Sequence, residues 1–231
     1  MANLSAFEKI LGIQFGNEAL LREALTHRSY LNEHPHWPGG QNERLEYLGD
    51  AVLELSVSRF LFDRFAEFPE GKLTSLRAAL VNYRMLSAVA SEISLDKFIF
   101  MSKGEARDSE KAKEIIMANA MEALIGSVYL DGGYDVADSF IKKFVLSHLK
   151  EVLNLGLDKD PKSHLQEIVQ EKEKITPTYR VLKEEGPDHQ RTFYVGVFFG
   201  DDLIEKGVGS SKQEAETDAA ENAMKALEKS K

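Results

Sequence analysis

Between Glu114 and Asp131 the chain carries a single ionisable acid, Glu122, in the run Ile115–Leu130. A helix that is apolar on every side is an interior helix, so the rest of this part of the chain has to wrap around it. A carboxylate inside such a helix needs a cation, a hydrogen-bond network or a proton. Asn119 lies one turn earlier and faces the same way. Further segments with apolar residues at helical spacing are Leu45–Phe65 and Leu73–Ser91. No period-2 strand pattern stands out before residue 156. The breakers fall in Pro35–Gly40, Pro69-Glu70-Gly71 and Asp131-Gly132-Gly133. Lys103–Glu114, with mixed charges, is expected to be an exposed loop entering the next helix. Residues 1–155 are therefore predicted to be all helical.

A second helix brings more acid. At about 100° per residue, Glu43, Glu46 and Asp50 share a sector of roughly 60°. The stripe continues through Glu54 to Val57 and Leu61, so it turns apolar and runs inward. If the two helices pack, Glu46, Asp50, Asn119 and Glu122 could converge as oxygen ligands, which suit Mg²⁺ or Mn²⁺. The competing reading is a structural cluster in which Arg44 or Arg77 neutralises Glu122.

Gly156–Pro161 reads as a linker, and the pattern changes after it. Lys162–Lys172 is predicted helical, Thr178–Glu185 a strand, and Arg191–Phe199 a clearer strand with Phe193, Val195, Val197 and Phe199 on one face. Gly200-Asp201-Asp202 is a hairpin turn and Leu203–Gly209 a third strand. Lys212–Lys229 is a helix with Ala215, Ala219, Ala223 and Ala226 in one stripe, small enough to lie close on a sheet. The domain organisation is thus 1–155, a linker at 156–161, and an α-β-β-β-α unit at 162–231.

Composition narrows the functions. The absence of cysteine excludes disulfides, thiol catalysis and the common structural zinc sites. No uncharged run exceeds nine residues, too short to cross a membrane as a helix. Met1–Phe15 lacks a signal-peptide pattern, so the expected location is cytoplasmic. A net charge of −9 argues, taken alone, against a nucleic-acid partner.

The motifs argue the other way. Glu43-Arg44-Leu45-Glu46-Tyr47-Leu48-Gly49-Asp50-Ala51-Val52-Leu53 resembles the signature of the ribonuclease III family. Ala24–Tyr30, Glu70–Thr74 and Met121–Gly126 resemble further family stretches, in order. Asp160–Glu167, Gly186–His189 and Gly207–Lys212 resemble a double-stranded RNA-binding domain. The resemblance covers nearly the whole chain. It implies an all-α endonuclease domain followed by the α-β-β-β-α domain. The implied activity is Mg²⁺-dependent hydrolysis of double-stranded RNA, with Mn²⁺ as a substitute. The expected products carry 5′-phosphate and 3′-hydroxyl ends with short 3′ overhangs, and the expected substrates are structured precursors such as ribosomal RNA. No nucleotide cofactor and no membrane partner is expected.

By resemblance, Glu46, Asp50 and Glu122 are the catalytic, metal-binding acids, Asn119 completes the ligand set, and Glu43 and Glu70 are accessory acids of the groove. Carboxylate-held metal can activate water and stabilise a developing oxyanion without a histidine base. One departure is Asn119, where the family usually has aspartate. It admits a second reading, a non-catalytic dimer that binds double-stranded RNA. The resemblance assigns RNA contacts to Ser163, Gln166 and Glu167 on the first helix of the second unit, to Asp188 and His189 in the loop between strands, and to Lys212 with Ser211 at the start of the last helix. That helix start is less basic than usual, since Gln213 follows Lys212. The family works as a homodimer, and Tyr47 would plug into the partner, its alternative being a core aromatic. His34 and His36 flank Pro35 as a weak metal pair, His27 is expected to order a turn, and His148 to be a packing or surface residue.

Overall fold

The structure is a computed structural model and describes residues 3–105, 109–156, 161–187 and 191–229. The chain divides into two compact units, 1–158 and 159–231.

The first unit is helical: α1 (Leu4–Leu11), α2 (Glu18–Ala24), α3 (Arg28–Glu33), α4 (Glu43–Arg64), α5 (Glu70–Val81), α6 (Tyr83–Glu92), α7 (Glu110–Gly132), α8 (Tyr134–Phe144) and α9 (Leu149–Leu155). Its one departure from helix and loop, among the described residues, is an isolated parallel bridge between Thr26 and Phe100. The axis is α7, whose residues from Ile116 to Val128 are buried apart from Asn119 and Glu122, which are half-buried. Helices α2, α4, α6 and α8 pack round it. Asp131 at its C-terminal end accepts from the backbone N–H groups of Gly16 (2.9 Å) and Asn17 (2.8 Å), pinning the entry to α2.

Three predicted boundaries move. The helix expected over Leu73–Ser91 is two helices broken at Asn82, which has extended backbone (φ −69°, ψ 159°). The Asn82 amide donates to the carbonyls of Ala78 (3.1 Å) and Ala79 (2.9 Å), and its oxygen accepts from Met85 N–H (3.0 Å). One side chain thereby closes α5 and caps α6, so the apolar periodicity runs through the break unchanged. Glu70 and Gly71, expected in a loop, open α5 behind Pro69. Asp131 and Gly132 are still helical, and the stop comes at Gly133, whose φ of 80° suits glycine.

The second unit runs α10 (Pro161–Glu173), β1 (Thr178–Glu185), β2 (Thr192–Phe199), β3 (Asp202–Gly209) and α11 (Lys212–Lys229). The strands form an antiparallel sheet in the order β1-β2-β3. Val195, Val197 and Phe199 are buried and, with Leu165, Val169 and the alanines of α11, form the core; Phe193 is only half-buried. Ala215, Ala219, Ala220 and Ala223 are fully buried, whereas Ala226 is half-buried. The alanines let α11 lie so close that a Cβ on Gly207 of β3 would stand 2.1 Å from Ala219 N. Residues 157–160 of the expected linker lie outside the described residues. Gly156 ends α9 in a left-handed conformation and Pro161 opens α10.

Candidate functional site

The site begins with a helix crossing. Helices α4 and α7 meet at two glycines: a Cβ on Gly49 would fall 1.8 Å from the Glu122 carbonyl oxygen, and one on Gly126 would fall 2.2 Å from that of Leu45. Backbone therefore rests on backbone. Glu46 and Asp50, on α4, are brought alongside Asn119 and Glu122, on α7.

The electrostatics reflect that convergence. Glu122 is pushed up to about 7, first by burial and then by the charges of Asp50 and Glu46. Glu46 is raised by burial, then by Glu43 and Asp50; Arg28 and a hydrogen bond from the Asn119 amide partly offset this. Asp50 is raised by burial and by Glu54. Among the described residues no basic side chain pairs with Glu122, and Arg77 donates instead to the Ser58 hydroxyl (3.0 Å). The salt-bridged alternative for Glu122 therefore finds no partner.

The donors are oxygen only, which fits a hard divalent ion. Among the described residues, no three His, Cys, Asp or Glu side chains encircle an ion on their own. That looseness suits Mg²⁺, which keeps several waters and takes only one or two carboxylates directly.

The accessory acids differ. Glu43 opens α4 and is held beside the quartet: Gln41 donates to its carboxylate (2.9 Å) and accepts from its backbone N–H (2.7 Å), and Arg28 lies 3.5 Å away. Glu70 is exposed at the start of α5, where it accepts from the Thr74 hydroxyl (3.0 Å), and it is not among the charges acting on the quartet. Tyr47 is 83% exposed and so is not a core aromatic. Ala51, Leu55 (57% exposed) and Phe62 (71%) continue its stripe along α4. Sequence reasoning missed Leu55 and Phe62, although their spacing from Tyr47 carried the signal.

The histidines are structural. His27 caps α3, its Nδ1 accepting from Ser29 N–H (3.3 Å). Burial lowers its pKa. His34 stacks on Tyr30 with ring centroids 3.9 Å apart, so the expected His34/His36 metal pair is replaced by an aromatic contact. Trp37 packs on Tyr30 and Phe100, which gives its loop a small aromatic core. His148 lies between Glu92 (3.3 Å) and Glu151 (3.5 Å).

In the second unit Ser163, Gln166 and Lys212 line one groove with Lys162, Tyr179 and Gln213. Glu167 is exposed on α10. Lys162 pairs with Glu216 (2.5 Å) and stands 4.9 Å from the Tyr179 ring centroid. Ser211 caps α11 by accepting from Glu214 N–H (3.1 Å), while the Glu214 carboxylate reaches back to Ser210 N–H (2.8 Å). This is a capping box, displaced by one residue at its return bond. Asp188 and His189 lie outside the described residues.

Two catalytic-type acids on each side of a glycine crossing, followed by an α-β-β-β-α unit, define a two-part nucleic-acid-directed architecture. The Ribonuclease-III-like family model matches residues 17–149, and the double-stranded RNA binding motif matches residues 161–227. The chain is 43% identical to "Ribonuclease 3" of Syntrophobacter fumaroxidans over 97% of its own length and 94% of that protein's. It is 45% identical to "Ribonuclease 3" of Carboxydothermus hydrogenoformans over 99% and 97%. Among solved structures, the nuclease domain of ribonuclease III from Campylobacter jejuni superposes with a TM-score of 0.57 at 38% identity, covering 64% of this chain and 97% of that one. The chain belongs to the ribonuclease III family, endonucleases of double-stranded RNA.

Proposed function

We propose that this chain hydrolyses double-stranded RNA with Mg²⁺, leaving 5′-phosphate and 3′-hydroxyl ends with short 3′ overhangs, and that it processes structured precursors such as ribosomal RNA in the cytoplasm. The observation that carries the reading is Glu122: a carboxylate raised to about 7, facing Glu46 and Asp50, with no basic partner among the described residues. Such a group is matched by a divalent ion.

Glu46, Asp50 and Glu122 would hold the metal, with Asn119 offering its amide oxygen. Bound metal supplies a nucleophilic water at neutral pH and stabilises charge on the phosphoryl oxygens. Glu43, fixed by Gln41 and Arg28, keeps negative charge at the mouth of the site and steadies Glu46 in position. The Asn119 amide, by donating to Glu46, favours its charged form. The second unit would grip the duplex by shape, through its minor grooves and phosphates. Ser163, Gln166 and Glu167 would face one groove, Asp188 and His189 a second, and Lys212, beside Ser211, a phosphate.

The functional unit is read as a homodimer. Tyr47, Leu55 and Phe62 expose apolar surface in one line along α4, and a second copy of this chain would cover it.

A second reading, a dimer that binds duplex RNA without cutting it, rests on Asn119 bringing no charge. The deciding experiment is cleavage of a labelled RNA duplex with Mg²⁺ by this chain, by Asn119→Asp and by Glu122→Gln. Cutting by the chain, lost in Glu122→Gln, supports the nuclease. No cutting until Asn119→Asp restores it establishes the binder.

A further inference from the structure

We propose that Arg191, just before β2, is a phosphate-binding residue of the RNA-binding unit, working with Lys212 as a two-cation clamp that Glu184 holds together. The inference rests on reading this unit as a binder of double-stranded RNA.

Glu184 stands near the end of β1, and each of its carboxylate oxygens takes a different cation. Oε1 lies 3.3 Å from Lys212 Nζ and Oε2 lies 3.2 Å from Arg191 Nη1. Lys212 comes from the start of α11 and Arg191 from the approach to β2. Residues far apart in sequence are thus brought to one carboxylate. The Lys212 ammonium also lies 5.7 Å from the Phe193 ring centroid, which fixes the side from which it projects.

The charges leave the cluster with one positive charge in excess, the complement of one phosphate. Both cations are more exposed than the carboxylate, at 59% and 41% against 35%. Their outer sides therefore meet an incoming backbone before Glu184 does. A guanidinium carries five N–H donors in a planar fork suited to phosphate oxygens, and the bond to Glu184 uses one of them. An exposed ion pair is weak and screened by salt, so the bridge orients the cations without withholding them.

This arrangement also accounts for the sparse charge at the start of α11. Gln213 follows Lys212, so the helix itself supplies one cation there. The second arrives from across the sheet, where a search for consecutive basic residues does not find it.

The test is the salt dependence of duplex RNA binding by the full chain, metal-free with EDTA so that nothing is cut. Each lost phosphate contact lowers the slope of log K against log salt by about one. The reference is Glu184→Gln, in which no effect of altering Arg191 comes from breaking the Glu184 bridge. In that background Arg191→Gln is expected to lower the slope by about one and to weaken binding equally for duplexes of different sequence. Arg191→Lys is expected to keep the slope, and circular dichroism reports that each variant is folded. If Arg191→Gln leaves the slope unchanged while Lys212→Gln lowers it, the clamp is overturned and RNA binding by the unit stands. If neither the parent chain nor any variant binds the duplex, the reading of the unit falls, and the clamp with it.

Discussion

Gly49 of α4 and Gly126 of α7 lie back to back, so close that a side-chain carbon on either would enter the other helix's backbone. The acids of the site are held together by the absence of side chains beneath them. Gly126→Ala is therefore expected to destabilise the first unit by about 1–3 kcal/mol or more, as overpacking does. Thermal unfolding followed by circular dichroism measures the loss. A midpoint equal to the parent's would show that the helices separate without strain.

Glu122 sets a pH dependence with a definite sign. Its folded pKa of about 7 exceeds its ordinary 4.5, so between these values the folded chain binds more protons than the unfolded one. Stability of the metal-free protein should thus be fullest below about 4.5, as far as this group is concerned, and fall as pH rises through about 7. Glu122→Gln should flatten that fall. Denaturant titrations across this range, run in EDTA, read the difference. A proton on Glu122 also competes with Mg²⁺, so the apparent Mg²⁺ affinity should rise from pH 6 to pH 8.

Tyr47 and Phe62 cap the two ends of an exposed apolar stripe. Tyr47→Ala and Phe62→Ala should each lower the dimer fraction, and the double variant should lower it further. Sedimentation equilibrium gives the fractions. A dimer unaffected by all three would place the interface elsewhere.

Asp131 accepts two backbone hydrogen bonds, from Gly16 and Asn17. Asp131→Ala leaves both donors without that partner and should cost about 1–3 kcal/mol. Hydrogen exchange should localise the loosening to the segment leading into α2. Uniform exchange across the first unit would contradict the assignment.

Much of this was legible in the sequence for a physical reason. Glu122 is conspicuous because its neighbours are apolar, and an interior helix fixes its surroundings. The strands of the second unit show because Val195, Val197 and Phe199 alternate against polar neighbours. What stayed hidden is action across elements. Asn82 breaks a helix without disturbing the apolar rhythm, since its side chain replaces the missing backbone partners on both sides. Arg191 and Lys212 are 21 positions apart and meet only through Glu184. Leu55 and Phe62 look like core residues because hydrophobicity does not say which side of a helix a second surface will cover. The His34/His36 pair failed for the converse reason: nearness in sequence says nothing of a third ligand.

Helix α4 is 22 residues long, about 33 Å of continuous rod at 1.5 Å per residue. Glu46 and Tyr47 are adjacent on it yet point to different sides, one toward the acids and the other outward. A rod of this kind turns as one body. Torque applied to its outer side is delivered to its inner side undiminished, so the surface that grips and the carboxylates that act share a single mechanical axle.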